Sequence, residues 1–173
     1  AVARAMGIGP DDIKRGLESF SGVSGRMQIL DRGGVRIIND AYNANPASMK
    51  AALDLLASTE AAGKKIAVLG DMLELGERSA HFHEELGLQA ARLDVDRLFL
   101  VGAFAGHTKR GAEQAGMDSS RIVVCGSAPE AAAGVEKCAA ANDVILLKGS
   151  RKMRMESCID YIRGEQASLS NAQ

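Results

Sequence analysis

The polar segment at residues 40–49 combines an acid, a tyrosine and two side-chain amides, groups that could bind a nucleotide. Asp40 directly follows an apolar run, Asn43 comes three residues later, and Asn45 precedes a proline. Carboxylate and amide groups can bind the hydroxyl groups of a ribose, and a helix that begins at the proline would offer its positive end to phosphates. In the structural alternative, Asn45 only caps that helix and Asp40 only braces the loop.

A second segment, residues 147–156, contains four cations within a short stretch. The cations are Lys148, Arg151, Lys152 and Arg154, with Gly149 and Ser150 between the first two. If a helix follows, its free amides and these cations would together attract a carboxylate, although a solvated basic turn has the same composition. Because Lys148 ends an apolar run, we expect its charge to be partly desolvated and to require an anion. We also expect Gly149 to permit close approach of a ligand, and the whole turn to serve peptide substrates rather than a nucleotide.

An acidic segment at residues 70–76 and two histidines complete the candidate chemistry. The acids are Asp71 and Glu74, which follow an apolar run of their own. His81 and His83 are two residues apart on a predicted helix, so they point in different directions, and no metal site is predicted. The glycine-rich dinucleotide and phosphate-loop motifs, the G-x-S-x-G motif and the H-E-x-x-H motif are all absent. A nucleotide-using enzyme would therefore need its phosphate-binding loop from another segment.

Four short, continuously apolar runs predict the strands that must position these side chains. They span residues 66–70, 98–102, 122–126 and 144–149; each ends in glycine, and helical patterns separate them. Continuous apolarity indicates strands covered on both faces, as in a parallel sheet between helices. Open sheets of this kind bind ligands at the carboxyl ends of their strands, which is where the polar segments lie.

An antiparallel hairpin is predicted before the parallel sheet. Residues 26–31 and 35–39 flank an Arg-Gly-Gly sequence at residues 32–34, a combination typical of a tight turn between strands. The predicted helix starts are Pro10, Pro46 and, within a capping box, Ser127–Glu130. The predicted fold is therefore α/β: a Rossmann-like, doubly wound, mostly parallel sheet with an N-terminal antiparallel hairpin.

Composition argues against several functional classes. The chain of 173 residues has a net charge of −1 and only 3% aromatic residues, which does not favour a nucleic-acid-binding surface. Its three cysteines are scattered, so neither a disulfide framework nor a zinc site is predicted. No apolar run approaches the roughly 20 residues that span a bilayer, and no basic leader precedes a hydrophobic stretch. We expect a cytoplasmic protein that binds neither nucleic acid nor membrane.

Several segments together resemble the C-terminal domain of the Mur ligase family. They are residues 25–28, 40–49 and 68–76, His83, and residues 147–156. The sequences Y-N-A-N-P and G-D-M-x-E-L-G are similar to those of the members that join D-alanyl-D-alanine to UDP-N-acetylmuramoyl-tripeptide. The resemblance covers nearly the whole chain, with the segments in the order found in the family.

The resemblance implies a three-domain ATP-dependent ligase, of which this chain is the last domain. Residues 1–24 resemble the closing helices and linker of a central ATPase domain, residues 25–165 resemble the C-terminal domain, and residues 166–173 are expected to form a disordered tail. The start of the chain, which reads as a helix entered in its middle, favours this interpretation. In the family reaction, ATP and Mg²⁺ convert the carboxylate of the nucleotide-tripeptide into an acyl phosphate, which the dipeptide amine attacks. Of the missing N-terminal and central domains, the first would bind the UDP-sugar and the second would carry the phosphate loop and magnesium ligands, so the chain alone is expected to be inactive.

The same resemblance implies roles for nine residues. Those facing ATP would be Arg26 and Asp40, at the ribose and base, and Asn43 and Asn45, nearer the phosphates. Those facing the peptide substrates would be Asp71, Glu74, Lys148, Ser150 and Arg151. One of the two acids would pair with the ammonium group of the dipeptide, and a cation of the basic turn would pair with its carboxylate.

Three other interpretations remain open. The chain could belong to another Mur-type ligase that adds a different amino acid. It could be the dinucleotide-binding domain of a nicotinamide-dependent oxidoreductase, which the sheet pattern favours but the missing glycine fingerprint does not. It could also be a ligand-sensing or interaction domain without catalysis, since fold alone does not specify function.

Overall fold

The computed structural model describes residues 2–19 and 23–162, and within them six strands form one sheet. The strands are β1 (Gln28–Arg32), β2 (Val35–Asp40), β3 (Lys65–Gly70), β4 (Arg97–Val101), β5 (Ile122–Cys125) and β6 (Val144–Lys148). Their order across the sheet is β1-β2-β6-β3-β4-β5. β1 pairs antiparallel with β2, and the other pairings between these strands are parallel. The predicted mostly parallel sheet with an N-terminal hairpin is therefore confirmed.

The four predicted apolar runs form β3 to β6, within one residue of the expected bounds. Every residue of β6 is buried, including Lys148, because helices cover both faces of the sheet there. β5 lies at the edge of the sheet, and its Val124 is exposed. Continuous apolarity thus identifies the central strands, where no face is left to solvent.

The hairpin turn depends on Gly33 and Gly34, whose φ angles are 55° and 79°. Two consecutive residues with positive φ give a turn whose twist matches that of the paired strands, and glycine adopts this conformation without steric cost. Arg32 pairs with Val35 directly across the turn. This turn fixes the register between β1 and β2, and β2 ends at Asp40.

Helices cover both faces of the sheet. The covering helices are α3 (Pro46–Ser58), α4 (Ser79–Arg92), α5 (Ala105–Gln114) and α6 (Ala128–Cys138); α1 (Val2–Ala5) and α2 (Pro10–Glu18) precede the sheet in the chain and contain no buried residue. One core cluster contains the buried side chains of α3, α4 and α5, including Leu53 and Leu86. The other contains α6 and the segment after β6, including Val135 and Met155. This is the predicted doubly wound arrangement, which leaves the carboxyl ends of the strands open for ligands.

The helix starts follow their sequences, with one difference from expectation. At α3, Asn45 and Ser48 exchange side-chain and backbone hydrogen bonds and form a capping box. At α6, the Ser127 hydroxyl accepts a hydrogen bond from the Glu130 amide, as predicted. The Glu130 carboxylate, however, accepts from the amide of Gly126, one residue before the cap. The Gly126 amide, which directly follows β5, thus takes the place of the Ser127 amide as donor to this carboxylate. Only one of the two hydrogen bonds of the predicted capping box therefore forms.

The two N-terminal helices, α1 and α2, do not contribute to the hydrophobic core. Neither α1 nor α2 contains a buried residue, and Val2, Met6 and Leu17 are exposed. Pro10 begins α2 as predicted. The domain boundaries near residues 24 and 165 stay predictions, and the tail expected at residues 166–173 lies outside the described residues. Among the helices of residues 2–19 and 23–162, none has the length and apolar character needed to cross a bilayer.

Candidate functional site

The pairing of β2 with β6 brings the two predicted ligand-binding segments together. Asp40 and Lys148 are register partners, and each is the last residue of its strand. The Lys148 ammonium group lies 2.5 Å from Asp40 Oδ2 and donates a hydrogen bond to the Asn43 carbonyl at 2.9 Å. Lys148 is only 1% exposed, so its charge is desolvated as expected. The chain itself supplies the anion that a buried cation requires.

The Asp40 carboxylate also braces the segment before β1. Its Oδ1 accepts a hydrogen bond from the Met27 amide at 3.2 Å. A carboxylate has about four lone-pair sites, so the contacts with Met27 and Lys148 leave capacity for further donors. Asp40 therefore combines the bracing role of the structural alternative with a position beside a cavity.

Tyr42, which the sequence analysis counted only as part of the polar segment 40–49 and gave no role of its own, contacts two cationic side chains. The residue is 43% exposed, and two guanidinium groups lie near its ring. The guanidinium carbon of Arg26 is 4.2 Å from the ring centroid, and that of Arg151 is 5.9 Å away. Both distances are within the range of a cation–π interaction. The available signal was an aromatic residue in a polar loop of a chain that has few aromatics.

Two open cavities share Tyr42 at the carboxyl ends of the strands. The Asp40 cavity, about 350 Å³, is lined by residues that include Arg26, Asp40, Asn43, Asn45, Ser48 and Lys148. The Glu74 cavity, about 570 Å³, is lined by residues that include Asn43, Asn45, Leu73, Glu74, Ser150 and Arg151. A larger groove of about 630 Å³ between α3 and α4 contains none of the predicted site residues, so we do not assign the chemistry to it.

The loop before α3 uses its amides mainly for local structure. Asn43 Oδ1 accepts a hydrogen bond from the Ala44 amide at 2.9 Å, and Asn45 caps the helix. In the first turn, Pro46 has no N–H, and the Ser48 amide is already bonded to Asn45. The helix start therefore offers a phosphate fewer donors than the sequence suggested. Both asparagines nevertheless line the two cavities.

Asp71 and Glu74, the two candidates for the ammonium group, occupy different environments. Asp71 is 4% exposed, and its carboxylate accepts hydrogen bonds from the Ala103 and Phe104 amides at 2.8 and 3.2 Å. Glu74 is exposed and lines the Glu74 cavity, whereas Asp71 is not among the lining residues. Of the two acids, Glu74 is the one accessible to a ligand from solvent.

Ser150 connects the basic turn to the acidic segment. Its amide donates to the Asp71 carbonyl at 2.9 Å, and its hydroxyl accepts from the Leu73 amide at 2.8 Å. Arg151 is exposed and pairs with Glu156 at 2.9 Å. Ser150 and Arg151 both line the Glu74 cavity, so the structure brings these two predicted residues together.

The helix predicted after the basic turn is not an α-helix. Arg151–Met153 and Met155–Asp160 form two short 3₁₀ segments, separated by Arg154 at a φ of 50°. This left-handed residue interrupts the hydrogen-bond ladder, so no extended helix dipole develops here. The prediction that a helix start captures an anion is therefore wrong for this turn, and its attraction for anions rests on the cationic side chains.

Gly149 has a packing role in this structure. A Cβ atom at this position would lie 2.7 Å from Met155 Cγ and 3.1 Å from Gly70 Cα. A side chain here would force Met155 to shift and would press on the Gly70 backbone, so the glycine allows the ends of β6 and β3 to approach each other. The expectation that Gly149 opens the backbone to a ligand stays a prediction.

His83 is buried beneath the acidic segment. Its Nε2 accepts a hydrogen bond from the Met72 amide at 3.0 Å, and Nδ1 lies 2.6 Å from the Ser79 carbonyl. These partners assign the ring proton to Nδ1 in the neutral form. Burial is the main cause that lowers the pKa of His83; the bond to Ser79 and the nearby Asp71 carboxylate oppose that shift. His81, by contrast, is exposed.

Comparison with known proteins gives the family. The family model described as "Mur ligase, glutamate ligase domain" matches residues 25–151. The UDP-N-acetylmuramoyl-tripeptide–D-alanyl-D-alanine ligase of Bacillus subtilis (strain 168) is 37% identical over 160 residues, 92% of this chain and 35% of the relative. The protein of the same name from Escherichia coli (strain K12) is 32% identical, again over 92% of this chain and over 34% of the relative. The chain thus spans about a third of the length of these relatives.

Solved structures agree with the sequence relatives. MurF from Acinetobacter baumannii matches with a TM-score of 0.81 and 32% identity, over 93% of this chain and 35% of that one. MurF from Thermotoga maritima in complex with ADP matches with a TM-score of 0.76 and 30% identity, over 94% of this chain and 35% of that one. The resemblance inferred from the sequence segments is confirmed, and the chain belongs to the Mur ligase family.

Proposed function

We propose that this chain is the C-terminal domain of an ATP-dependent ligase that joins D-alanyl-D-alanine to UDP-N-acetylmuramoyl-tripeptide in peptidoglycan biosynthesis. Its curated relatives carry the name of that ligase, and one similar structure contains ADP. The observation that carries the proposal is the contact between Lys148 and Asp40, which joins the loops lining two adjacent polar cavities. A ligase must hold two reactants in fixed geometry, and adjoining cavities suit that requirement.

The Asp40 cavity is proposed to receive the ribose and base of ATP. Asp40 keeps lone pairs for ribose hydroxyl groups after its two contacts within the chain. Arg26 lines the same cavity and can donate from its guanidinium group. Asn43 and Asn45 line both cavities, which would place them toward the phosphates and the reacting peptide end. These side chains fit a nucleoside because they combine hydroxyl acceptors with planar donors.

The Glu74 cavity is proposed to receive the dipeptide, which carries an ammonium group at one end and a carboxylate at the other. Glu74 would pair with the ammonium group and Arg151 with the carboxylate. The Ser150 hydroxyl accepts a hydrogen bond from the Leu73 amide, and it can still donate its own proton to a ligand. Asp71 and Lys148 are buried in contacts with the chain, so we assign them to holding the cavity walls.

The contribution of this domain would be positioning of the reactants. The sequence has no phosphate-binding loop, and residues 2–19 and 23–162 contain no cluster of three or more potential metal ligands. We propose that the phosphates and Mg²⁺ are held mainly by the central domain that the family resemblance implies. When bound, ATP supplies the phosphoryl group that activates the tripeptide carboxylate. We place the complete enzyme in the cytoplasm, where ATP is available.

An amide-ligation assay with the complete enzyme, of which this chain is the last third, tests the proposal. With UDP-N-acetylmuramoyl-tripeptide, ATP, Mg²⁺ and D-alanyl-D-alanine, we expect a product whose mass equals the two reactants minus one water. Omitting ATP should abolish the product, and this chain alone should give none. Matched reactions that replace the dipeptide with single amino acids test for another Mur-type ligase. Ligation of a single amino acid but not of the dipeptide would contradict the proposal, as would micromolar binding of NAD to this chain.

A further inference from the structure

The segment of residues 71–75, which contributes one wall of the Glu74 cavity, is anchored by three successive hydrogen bonds. The Asp71 carbonyl accepts from the Ser150 amide, the Met72 amide donates to His83 Nε2, and the Leu73 amide donates to the Ser150 hydroxyl. Two anchors thus come from the turn after β6, and the middle one comes from α4. The wall residues Leu73 and Glu74 directly follow the anchor that His83 supplies.

The His83 imidazole is itself fixed by its surroundings. The side chain is 2% exposed. Its Nδ1 donates to the Ser79 carbonyl one helical turn earlier, which directs Nε2 toward the acidic segment. The Phe104 ring stacks on the imidazole, with ring centroids 4.8 Å apart and planes inclined by 22°. Because the imidazole has little freedom to move, its hydrogen bond with the Met72 amide fixes the position of residues 71–75.

Burial favours the neutral form of this histidine, in which Nε2 can accept a hydrogen bond, and it outweighs the opposing effect of the nearby Asp71 carboxylate. Asp71 Oδ1 lies 3.7 Å from His83 Nε2, and the Asp71 carboxylate is already bonded to two backbone amides just before α5. His107 of α5 also acts on His83 electrostatically, and its effect lowers the pKa of His83. A proton on Nε2 would occupy the lone pair that accepts the hydrogen bond from the Met72 amide. This hydrogen bond therefore requires the neutral ring.

We propose that His83 is a positioning residue for the dipeptide: by accepting the Met72 amide, it fixes the wall from which Glu74 enters the cavity. The inference rests on the function proposed above. Glu74 has a φ of 65°, a left-handed conformation that a residue other than glycine keeps only where its surroundings hold it. Release of the Met72 amide would let this residue relax and would displace the carboxylate that pairs with the ammonium group.

Two substitutions of His83 separate positioning from general stability. Glutamine carries its side-chain oxygen near the position of Nε2, so His83→Gln retains an acceptor for the Met72 amide. Asparagine carries its polar atoms near the position of Nδ1, so His83→Asn does not. In the complete enzyme, we expect His83→Asn to raise the KM for D-alanyl-D-alanine about tenfold, equivalent to about 1.4 kcal/mol. The KM for ATP should change less than about twofold, and His83→Gln should keep the dipeptide KM within about threefold of wild type.

Thermal unfolding of each variant establishes that the kinetics refer to folded enzyme. An unchanged dipeptide KM in folded His83→Asn, or equal increases in both KM values, would overturn the inference. If His83→Asn does not fold, His83→Gln decides: a dipeptide KM within about threefold of wild type supports the inference, and a tenfold rise overturns it. Failure of the proposed function is distinguishable, because the wild-type enzyme would then not ligate the dipeptide at all.

Discussion

Replacing Lys148 with methionine should destabilise the chain, because Asp40 would lose its cation. The Lys148 side chain is 2% exposed and the Asp40 side chain 12%, so solvent screens their interaction little. Removing one partner of a buried ion pair costs about 3–5 kcal/mol. Asp40 keeps the hydrogen bond from the Met27 amide and a little contact with solvent, so we expect about 3 kcal/mol, the lower end of that range. Methionine keeps most of the volume of the lysine stem, which limits any added packing loss.

A double-mutant cycle isolates the contribution of the pair. Lys148→Met, Asp40→Asn and the double variant should give a coupling energy of about 2 kcal/mol in urea unfolding. Circular dichroism is the suitable probe, since the chain has no tryptophan. The matched control is the exposed pair Lys50–Asp54, with the same atom types at 2.9 Å, whose coupling should be about 0.5 kcal/mol or less. A Lys148–Asp40 coupling no larger than that of the control would show that burial does not strengthen this ion pair.

The same substitution should raise the KM of the complete enzyme for both ATP and the dipeptide. Lys148 holds Asp40 and the Asn43 carbonyl, and Asn43 lines both cavities. The sequence alone predicted an effect on the peptide substrates only, because it assigned the basic turn to them. A rise in the dipeptide KM with an unchanged ATP KM would favour that earlier interpretation over the one based on the ion pair.

Three further perturbations test other parts of the structure. Gly102→Ala should destabilise the chain by about 3 kcal/mol in urea unfolding, because φ is 124° and a Cβ would lie 2.3 Å from the Asp71 Cγ. Gly116→Ala, with a φ of 93° and open space around it, is the control and should cost about 1 kcal/mol. Stability should fall as pH drops below 6.5, since unfolded His83 gains a proton while the folded ring, with its lowered pKa, stays neutral; His83→Gln should lose less over the same range. By isothermal titration, the chain alone should show no micromolar affinity for ATP, because it has no phosphate-binding loop.

Each of these predictions has a specific contradicting result. Equal costs for the two glycine substitutions would show that the Asp71 carboxylate does not fill the space beside residue 102. Parallel pH dependence of wild type and His83→Gln would show that this histidine is not held neutral in the folded chain. Micromolar binding of ATP would mean that the described cavities provide most of the nucleotide affinity.

The parallel sheet could be predicted because local sequence carries its signal. A strand covered on both faces must be apolar at every position, and β3, β4 and β6 are buried almost throughout. The start of α3 could be predicted for a similar reason, since an asparagine before a proline satisfies the first turn locally. The polar segments lie at the carboxyl ends of the strands, as this architecture requires.

The contacts within the site could not be predicted, because they depend on strand order and on distant backbone. Asp40 and Lys148 are 108 residues apart, and they meet because β6 lies between β2 and β3. Asp71 looked available for a ligand, yet amides from the segment after β4 bind its carboxylate. Arg154 has no local signal for a left-handed conformation, so the sequence suggested a helix where two 3₁₀ segments form. Such features arise from tertiary packing, which local patterns do not report.

In the function proposed here, the loops joined by Lys148 and Asp40 hold the nucleotide and the dipeptide side by side. A crystal structure of the complete enzyme with a non-hydrolysable ATP analogue and D-alanyl-D-alanine measures this directly. We expect the ribose within hydrogen-bond distance of Asp40, and the dipeptide in the Glu74 cavity with its ammonium group on Glu74 and its carboxylate on Arg151. A nucleotide in the Glu74 cavity, or a dipeptide that contacts neither Glu74 nor Arg151, would contradict this arrangement.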